Sequence, residues 1–149
     1  MKDPGYAEIL TQTLESFDYD IIGLCETRVK DVVETKNMLL SGNRNNKHVN
    51  RVGFILSQKA KRSLLSYNPI SDRLITARFQ GQPFNLYIIQ AYAPATKVDK
   101  EKDKEESTAF YQQLQQAIDK KHKRDILIIM GDFNAKVGKN HDENSDMAK

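Results

Sequence analysis

Four side chains in this sequence can handle a phosphate and a water together: Glu26, Tyr92, Asp132 and Asn134. Each stands where an apolar run stops. Glu26 closes Tyr-Asp-Ile-Ile-Gly-Leu-Cys-Glu, Tyr92 follows Phe84 to Ala91, and Asp132 and Asn134 follow Asp-Ile-Leu-Ile-Ile-Met-Gly. A hard divalent cation such as Mg²⁺ takes oxygen ligands, often one or two carboxylates completed by substrate phosphate and water. A second carboxylate, off the metal, can orient or deprotonate the attacking water. A carboxamide can hold that water or a phosphate oxygen, and a phenol can donate to a phosphate oxygen. The carboxyl ends of strands are where α/β proteins place such groups. A plainer reading stays open beside this one. Asp and Asn stop strands for local reasons, so Asp132-Phe-Asn134 can be a strand-ending Asx turn.

The elements that must carry these groups follow from periodicity. Five consecutive apolar residues, Ile126 to Met130, predict a strand buried on both faces. If extension continues past Gly131, Asp132 and Asn134 point to the same side. Asp3-Pro4 reads as a helix start, and Tyr6, Ile9, Leu10, Leu14 and Phe17 give an amphipathic helix. Strands are expected over 19–26 and 52–57, with a short one at 36–40. Arg73 to Phe79 and Phe84 to Ala91 form a hairpin across Gln-Gly-Gln-Pro, ended by Tyr92-Ala-Pro. Residues 97–106 read as a charged loop. A second helix follows through Phe110, Tyr111, Leu114, Ala117 and Ile118, with Glu105 and Glu106 in its first turn and Lys120 and Lys121 in its last. This mixture of antiparallel hairpin and helix-linked strands indicates an α/β or α+β sandwich.

Composition bounds the class. The 149 residues are 39% apolar and 29% charged without long single-sign blocks, which suits one globular domain or part of one. A net charge of +3 is too small to mark a dedicated nucleic-acid binder by itself. The single cysteine, Cys25, excludes an intrachain disulfide and a thiolate metal cluster, and fits a reducing, intracellular setting, nuclear or cytoplasmic. No apolar leader and no run of 18 apolar residues occur, so neither a signal peptide nor a membrane helix is expected. Residues 140–149 are polar and expected to be disordered.

Five blocks, taken in order, carry a resemblance: Ile-Ile-Gly-Leu-Cys-Glu-Thr-Arg, Val-Gly-Phe-Ile-Leu-Ser, Arg-Leu-Ile-Thr-Ala-Arg-Phe, Gln-Ala-Tyr-Ala-Pro and Ile-Met-Gly-Asp-Phe-Asn. The sequence resembles the endonuclease/exonuclease/phosphatase superfamily over about residues 5–139. Within it, the blocks are similar to the apurinic-type endonuclease domains of non-LTR retrotransposons and to the craniofacial development protein 2-like proteins derived from them. The resemblance implies a partial four-layer α/β sandwich of two mixed β-sheets flanked by helices, acting as a Mg²⁺-dependent phosphodiesterase on DNA, with Mn²⁺ as the alternative ion. It implies Glu26 as metal ligand and Tyr92 as the contact to the scissile phosphate. Asp132 then positions or activates water, with Asn134 beside it.

Three departures bear on activity. No strand with a metal-site asparagine precedes the helix at residue 5, no Ser-Asp-His segment follows Asn134, and Arg51 stands where the family has glycine. His48, His122 and His141 sit in no matching context. General acid–base groups contribute about 10²–10⁴-fold each, so the expectation is weak turnover or none. The alternative is a non-catalytic, retrotransposon-derived remnant that serves as a nucleic-acid or protein-interaction module. Elsewhere, Lys120 to Arg124 and the group Lys59, Lys61 and Arg62 read as solvated basic surface. Arg73 and Arg78 flank a strand, and one of them is expected to pair with Asp72 or a neighbouring carboxylate; Cys25 is expected to be an inert core thiol.

Overall fold

The computed structural model describes residues 6–27, 37–41, 51–95 and 101–135. Its elements in chain order are α1 (Tyr6–Glu15), β1 (Ile21–Leu24), β2 (Met38–Leu40), β3 (Gly53–Leu56), α2 (Gln58–Ser63), β4 (Leu64–Ser71), β5 (Leu74–Phe79), β6 (Leu86–Tyr92), α3 (Glu101–Asp119) and β7 (Ile126–Asp132). Two sheets result. The first, ordered β1-β3-β2, is antiparallel throughout; the second, β4-β5-β6-β7, is mixed, with β7 parallel to β6.

Strand alternation decides which side chains meet. Ile75, Ala77 and Phe79 of β5 and Ile88 of β6 face the first sheet, where they bury Val52, Phe54, Leu56 and Ala60. The opposite face presents Leu74, Tyr87, Ile89 and Ala91 to Phe110, Leu114 and Ala117 of α3. Sheet thus lies on sheet, with a helix on the outer face, as the α/β sandwich reading requires. None of the helices among the described residues is long and apolar enough to cross a membrane.

Several expectations are corrected. The strands buried on both faces are β3, β5 and β6, not β7. β7 lies at the sheet edge, where Ile126, Ile128 and Ile129 are 47%, 40% and 37% exposed. An apolar run reports the capacity to be buried; whether a neighbour covers it depends on topology. Conversely, β5 and β6 contain Thr76, Arg78 and Gln90 and are central. Residues 58–71, with basic and polar residues and Pro69, gave no strand or helix signal, yet form α2 and the largely exposed β4. Pairing with β5 over Leu64 to Ser71 makes that strand, and Ser57 caps α2 by accepting from the Ala60 N–H at 3.0 Å.

α3 begins at Glu101 within the stretch read as a loop, so Glu101 and Asp103 occupy its first turn instead of Glu105 and Glu106. Long exposed helices need little apolar content at their start, and acidic residues suit the dipole there. Lys120 and Lys121 lie beyond the helix. Lys121 Nζ instead donates to the carbonyls of His122 and Asp125, at 2.8 and 3.0 Å, and closes the turn into β7. In the first helix, Ile9 and Phe17 of the expected apolar stripe are exposed, and Phe17 lies past the last helical residue. The expected tail at 140–149 lies outside the described residues.

One ion pair anchors the start of β7. Arg78 of β5 donates to both carboxylate oxygens of Asp125, at 2.6 and 3.0 Å, and the Asp125 side chain is 3% exposed. Such a paired fork leaves neither buried oxygen unsatisfied. The Arg78 hydrogen bonds hold the Asp125 carboxyl below its ordinary value, against desolvation, with the charges of Arg78, His122 and Lys121 adding to the lowering. The folded state therefore binds its proton later than the unfolded chain. The resulting stability is present above the ordinary carboxyl value of 3.8 and is lost as pH falls through the lower folded one. Urea midpoints measured from neutral pH downward will show a steeper acid loss in the wild type than in Asp125→Asn, which starts lower and falls less. In central β6, Ile89→Ala will cost about 2–5 kcal/mol, whereas at the edge Ile128→Ala will cost about 1 kcal/mol or less because less area leaves water there. Equal losses for the two would contradict the edge position of β7.

Candidate active site

The parallel register of β6 and β7 places Tyr92 directly beside Asp132. The Ala93 N–H continues the ladder by donating to the Asp132 carbonyl at 2.8 Å. Gly131 makes this approach possible. Its φ of 139° is one that side chains rarely adopt, and an added Cβ would collide with the Ala91 carbonyl. The run before Asp132 thus stops at glycine for a steric reason.

After Asp132 the extended geometry ends. The Asn134 N–H donates to Oδ1 of Asp132 at 2.9 Å, and Asn134 adopts φ 46°. This is the Asx turn of the plainer reading, and asparagine tolerates the left-handed backbone it needs. The expectation that strand alternation aligns Asp132 with Asn134 is therefore corrected: a turn, not a strand, brings them together. Asn134 Nδ2 donates to the Ala93 carbonyl at 2.7 Å, which holds the side chain back over the end of β6. The local reading holds.

Glu26 arrives from the other sheet. β1 ends at Leu24, and Glu26 adopts φ 54°, an uncommon conformation for a residue with a Cβ. The backbone there is held by Thr27, whose N–H and hydroxyl both donate to the Arg51 carbonyl at 3.1 Å. The Tyr92 hydroxyl donates to Oε1 of Glu26 at 2.5 Å. All four residues singled out by the sequence thus gather at one rim, where the carboxyl ends of β1, β6 and β7 converge. Glu26 and Asp132 are exposed, and Tyr92 and Asn134 are half-buried.

Two neighbours carried no motif signal. Arg73 sits with its guanidinium 5.3 Å from the centre of the Tyr92 ring and bonds Glu106 at 3.0 Å, so a cation flanks the phenol. Gln90 lies below the site and donates to the Leu24 carbonyl and to Cys25 Sγ, at 3.2 and 3.1 Å. The one visible clue to Gln90 was a long polar side chain inside an apolar strand; for Arg73 it was a charge at a strand end, which suggested a carboxylate partner but not the Tyr92 ring. Cys25 is half-buried among these hydrogen bonds.

The hydrogen bond to Glu26 raises the Tyr92 phenol above its ordinary value, with desolvation and the Glu26 charge acting the same way. The Asn134 amide and the Arg73 charge oppose the shift. The phenol is therefore a proton donor throughout the physiological range. Removing the charge in Glu26→Gln will bring the Tyr92 titration back toward its ordinary value, read from the ¹³Cζ shift of labelled tyrosine. An unchanged titration would show that Glu26 does not hold the hydroxyl.

Among the described residues no group of three or more His, Cys, Asp or Glu side chains lies close enough to hold a metal by itself. The oxygen donors present are of the sort a hard cation shares with substrate and water.

Comparison with known proteins identifies the family and the fold. The family model described as Endonuclease/Exonuclease/phosphatase family matches residues 2–143. Craniofacial development protein 2 of Bos taurus is 32% identical over 139 residues, covering 91% of this chain, and that of Tragulus javanicus is 31% identical over the same length. The chain spans 23% and 24% of the length of these relatives. Among solved structures, a humanized D. rerio TDP2 superposes with a TM-score of 0.62 at 19% identity, over 88% of this chain and 55% of the other. The 3′ phosphatase NExo from Neisseria, bound to a product DNA hairpin, gives 0.62 at 19% over 85% and 51%. The endonuclease domain of TRAS1, a telomere-specific non-LTR retrotransposon, gives 0.54 at 17% over 87% and 52%. At these identities the structures share the fold.

Proposed function

Because the chain belongs to the endonuclease/exonuclease/phosphatase family, we propose that the rim at Glu26, Tyr92, Asp132 and Asn134 is the phosphate- and water-handling part of a Mg²⁺-dependent phosphodiester hydrolase acting on DNA. The observation that carries this reading is the convergence itself: two carboxylates, a protonated phenol and a carboxamide from three strand ends meet at one exposed edge. DNA as substrate is supported by the solved relatives, since D. rerio TDP2 is known with a single-strand DNA product and NExo with a product hairpin.

Roles follow from chemistry. Glu26, exposed and anionic, would hold Mg²⁺ (or Mn²⁺), with substrate phosphate and water completing the shell. When bound, such an ion neutralises charge on the phosphate. Tyr92 offers its hydroxyl to a non-bridging oxygen and stays protonated while doing so. Asp132 lies across the ladder from Tyr92, and its carboxylate would accept the proton of the attacking water. One oxygen of Asp132 receives the Asn134 N–H, so the carboxylate is held in orientation by its own turn. The Asn134 amide, pinned by the Ala93 carbonyl, orients the water or a phosphate oxygen.

Nicking of supercoiled and abasic plasmid with Mg²⁺, run beside Asp132→Ala, tests the proposal. The substitution will lower the nicking rate about 10²–10⁴-fold, the usual contribution of a general base. Equal traces from both proteins would overturn hydrolysis at this site and leave a binding role for the fold.

A further inference from the structure

Gln90 lies beneath the rim, 1% exposed, on the face of β6 that also carries Ile88 and Tyr92. Its Nε2 donates to the Leu24 carbonyl at 3.2 Å and to Cys25 Sγ at 3.1 Å, and the Cys25 thiol donates to the Ala91 carbonyl at 3.6 Å. Three bonds thus tie the end of β1 to β6 one residue before Glu26. The Tyr92–Glu26 bond joins the same two segments, which belong to different sheets.

The amide is a poor choice if stability alone mattered. Its Oε1 is buried and has no hydrogen-bond partner among the described residues, which is a net penalty. A methionine of similar length would fill the same space with no orphaned acceptor. What the amide adds is direction. The space around it is also specified: an added Cβ at Gly23 would collide with Gln90 Oε1 and lie 2.7 Å from Met130 Cε. Gly23 therefore lets the first sheet come close enough for the amide to reach Leu24 and Cys25.

We infer that Gln90 is a positioning residue: by fastening Leu24 and Cys25 to β6 it sets the left-handed backbone at Glu26 and brings that carboxylate onto the Tyr92 hydroxyl. Without the tie, the placement of the end of β1 on β6 rests more on apolar contact between sheets, which is non-directional and tolerates sliding. A side chain on an exposed strand end is preorganised only if the backbone beneath it is fixed. The consequence for chemistry rests on the proposed roles of Glu26 and Tyr92; the geometric claim does not.

The test is Gln90→Met in the full chain, read in three ways. The melting temperature will equal or exceed that of the wild type, because an orphaned acceptor is removed. The nuclear Overhauser contact between the Tyr92 ring and the Glu26 side chain, recorded without metal, will weaken. The Kd for Mn²⁺, used alone as the probe, will rise roughly 10-fold or more, as supporting groups behind metal ligands do. Cys25→Ala will move the last two readouts the same way and Cys25→Ser, whose hydroxyl can accept and donate, will restore them. This pair carries the test if Gln90→Met does not fold. Wild-type contact and Kd in a folded Gln90→Met or Cys25→Ala overturn the inference, as does a lower melting temperature with both unchanged. If the wild type binds no Mn²⁺, the metal role of Glu26 falls, and the Tyr92–Glu26 contact alone decides on Gln90.

Discussion

The parallel pairing of β6 with β7 is the constraint on which the site depends. Its seven-step register runs from Leu86 beside Ile126 to Tyr92 beside Asp132, so the two strands end together. A one-residue slip would turn Asp132 to the opposite face and leave Tyr92 beside Gly131 or Phe133. Two features hold the register. Arg78 and Asp125 fasten the start of β7 to β5, and at the far end Gly131 admits the Ala91 carbonyl where a side chain would not fit. Apolar contacts along β7 cannot do this, because one isoleucine against the next is much the same in either register.

A second division of labour separates stability from placement. The bulk of the core is non-directional: Phe54, Phe79, Ile75 and Leu56 between the sheets, and Ile89, Leu74 and Phe110 beneath α3. The directional contacts are few and lie along β5 and β6, where Arg78 reaches Asp125, Tyr87 reaches the Ala117 carbonyl and Gln90 reaches β1. Each fixes one neighbouring element. In the second sheet the central strands β5 and β6 are therefore interrupted by polar residues, whereas the edge strand β7 is apolar from Ile126 to Met130. The left-handed residues Glu26 and Asn134 lie where these anchored elements end, a setting in which uncommon backbone conformations persist because their surroundings are fixed.

Much of the fold was legible in the residues. The hairpin of β5 and β6, the end of β6 at Tyr92 before Ala-Pro, the strand ending near Glu26 and the helix through Phe110 and Leu114 all follow from period and punctuation. The failures have physical causes. β4 is a strand because β5 offers it a ladder, and its own side chains are mostly solvated, so no alternation marks it. α3 extends back to Glu101 because charged residues form solvated helix as readily as loop. The order of strands, and hence the exposure of Ile126, Ile128 and Ile129, is a property of the sheet and not of the run.

The sequence by itself determined the chemistry available. It named Glu26, Tyr92, Asp132 and Asn134, put each at the end of an apolar run, and through five ordered blocks marked the family. It could also state the Asx turn at Asp132, since that bond spans two residues. Only the tertiary structure decided that Glu26, 66 residues away from Tyr92, accepts its hydroxyl, that Arg73 flanks the ring, and that Gln90 reaches across between the sheets. The reason is the range of the information. A side chain's type and its neighbours in sequence fix local geometry, whereas contacts between sheets depend on register and on the distance at which two buried faces come to rest.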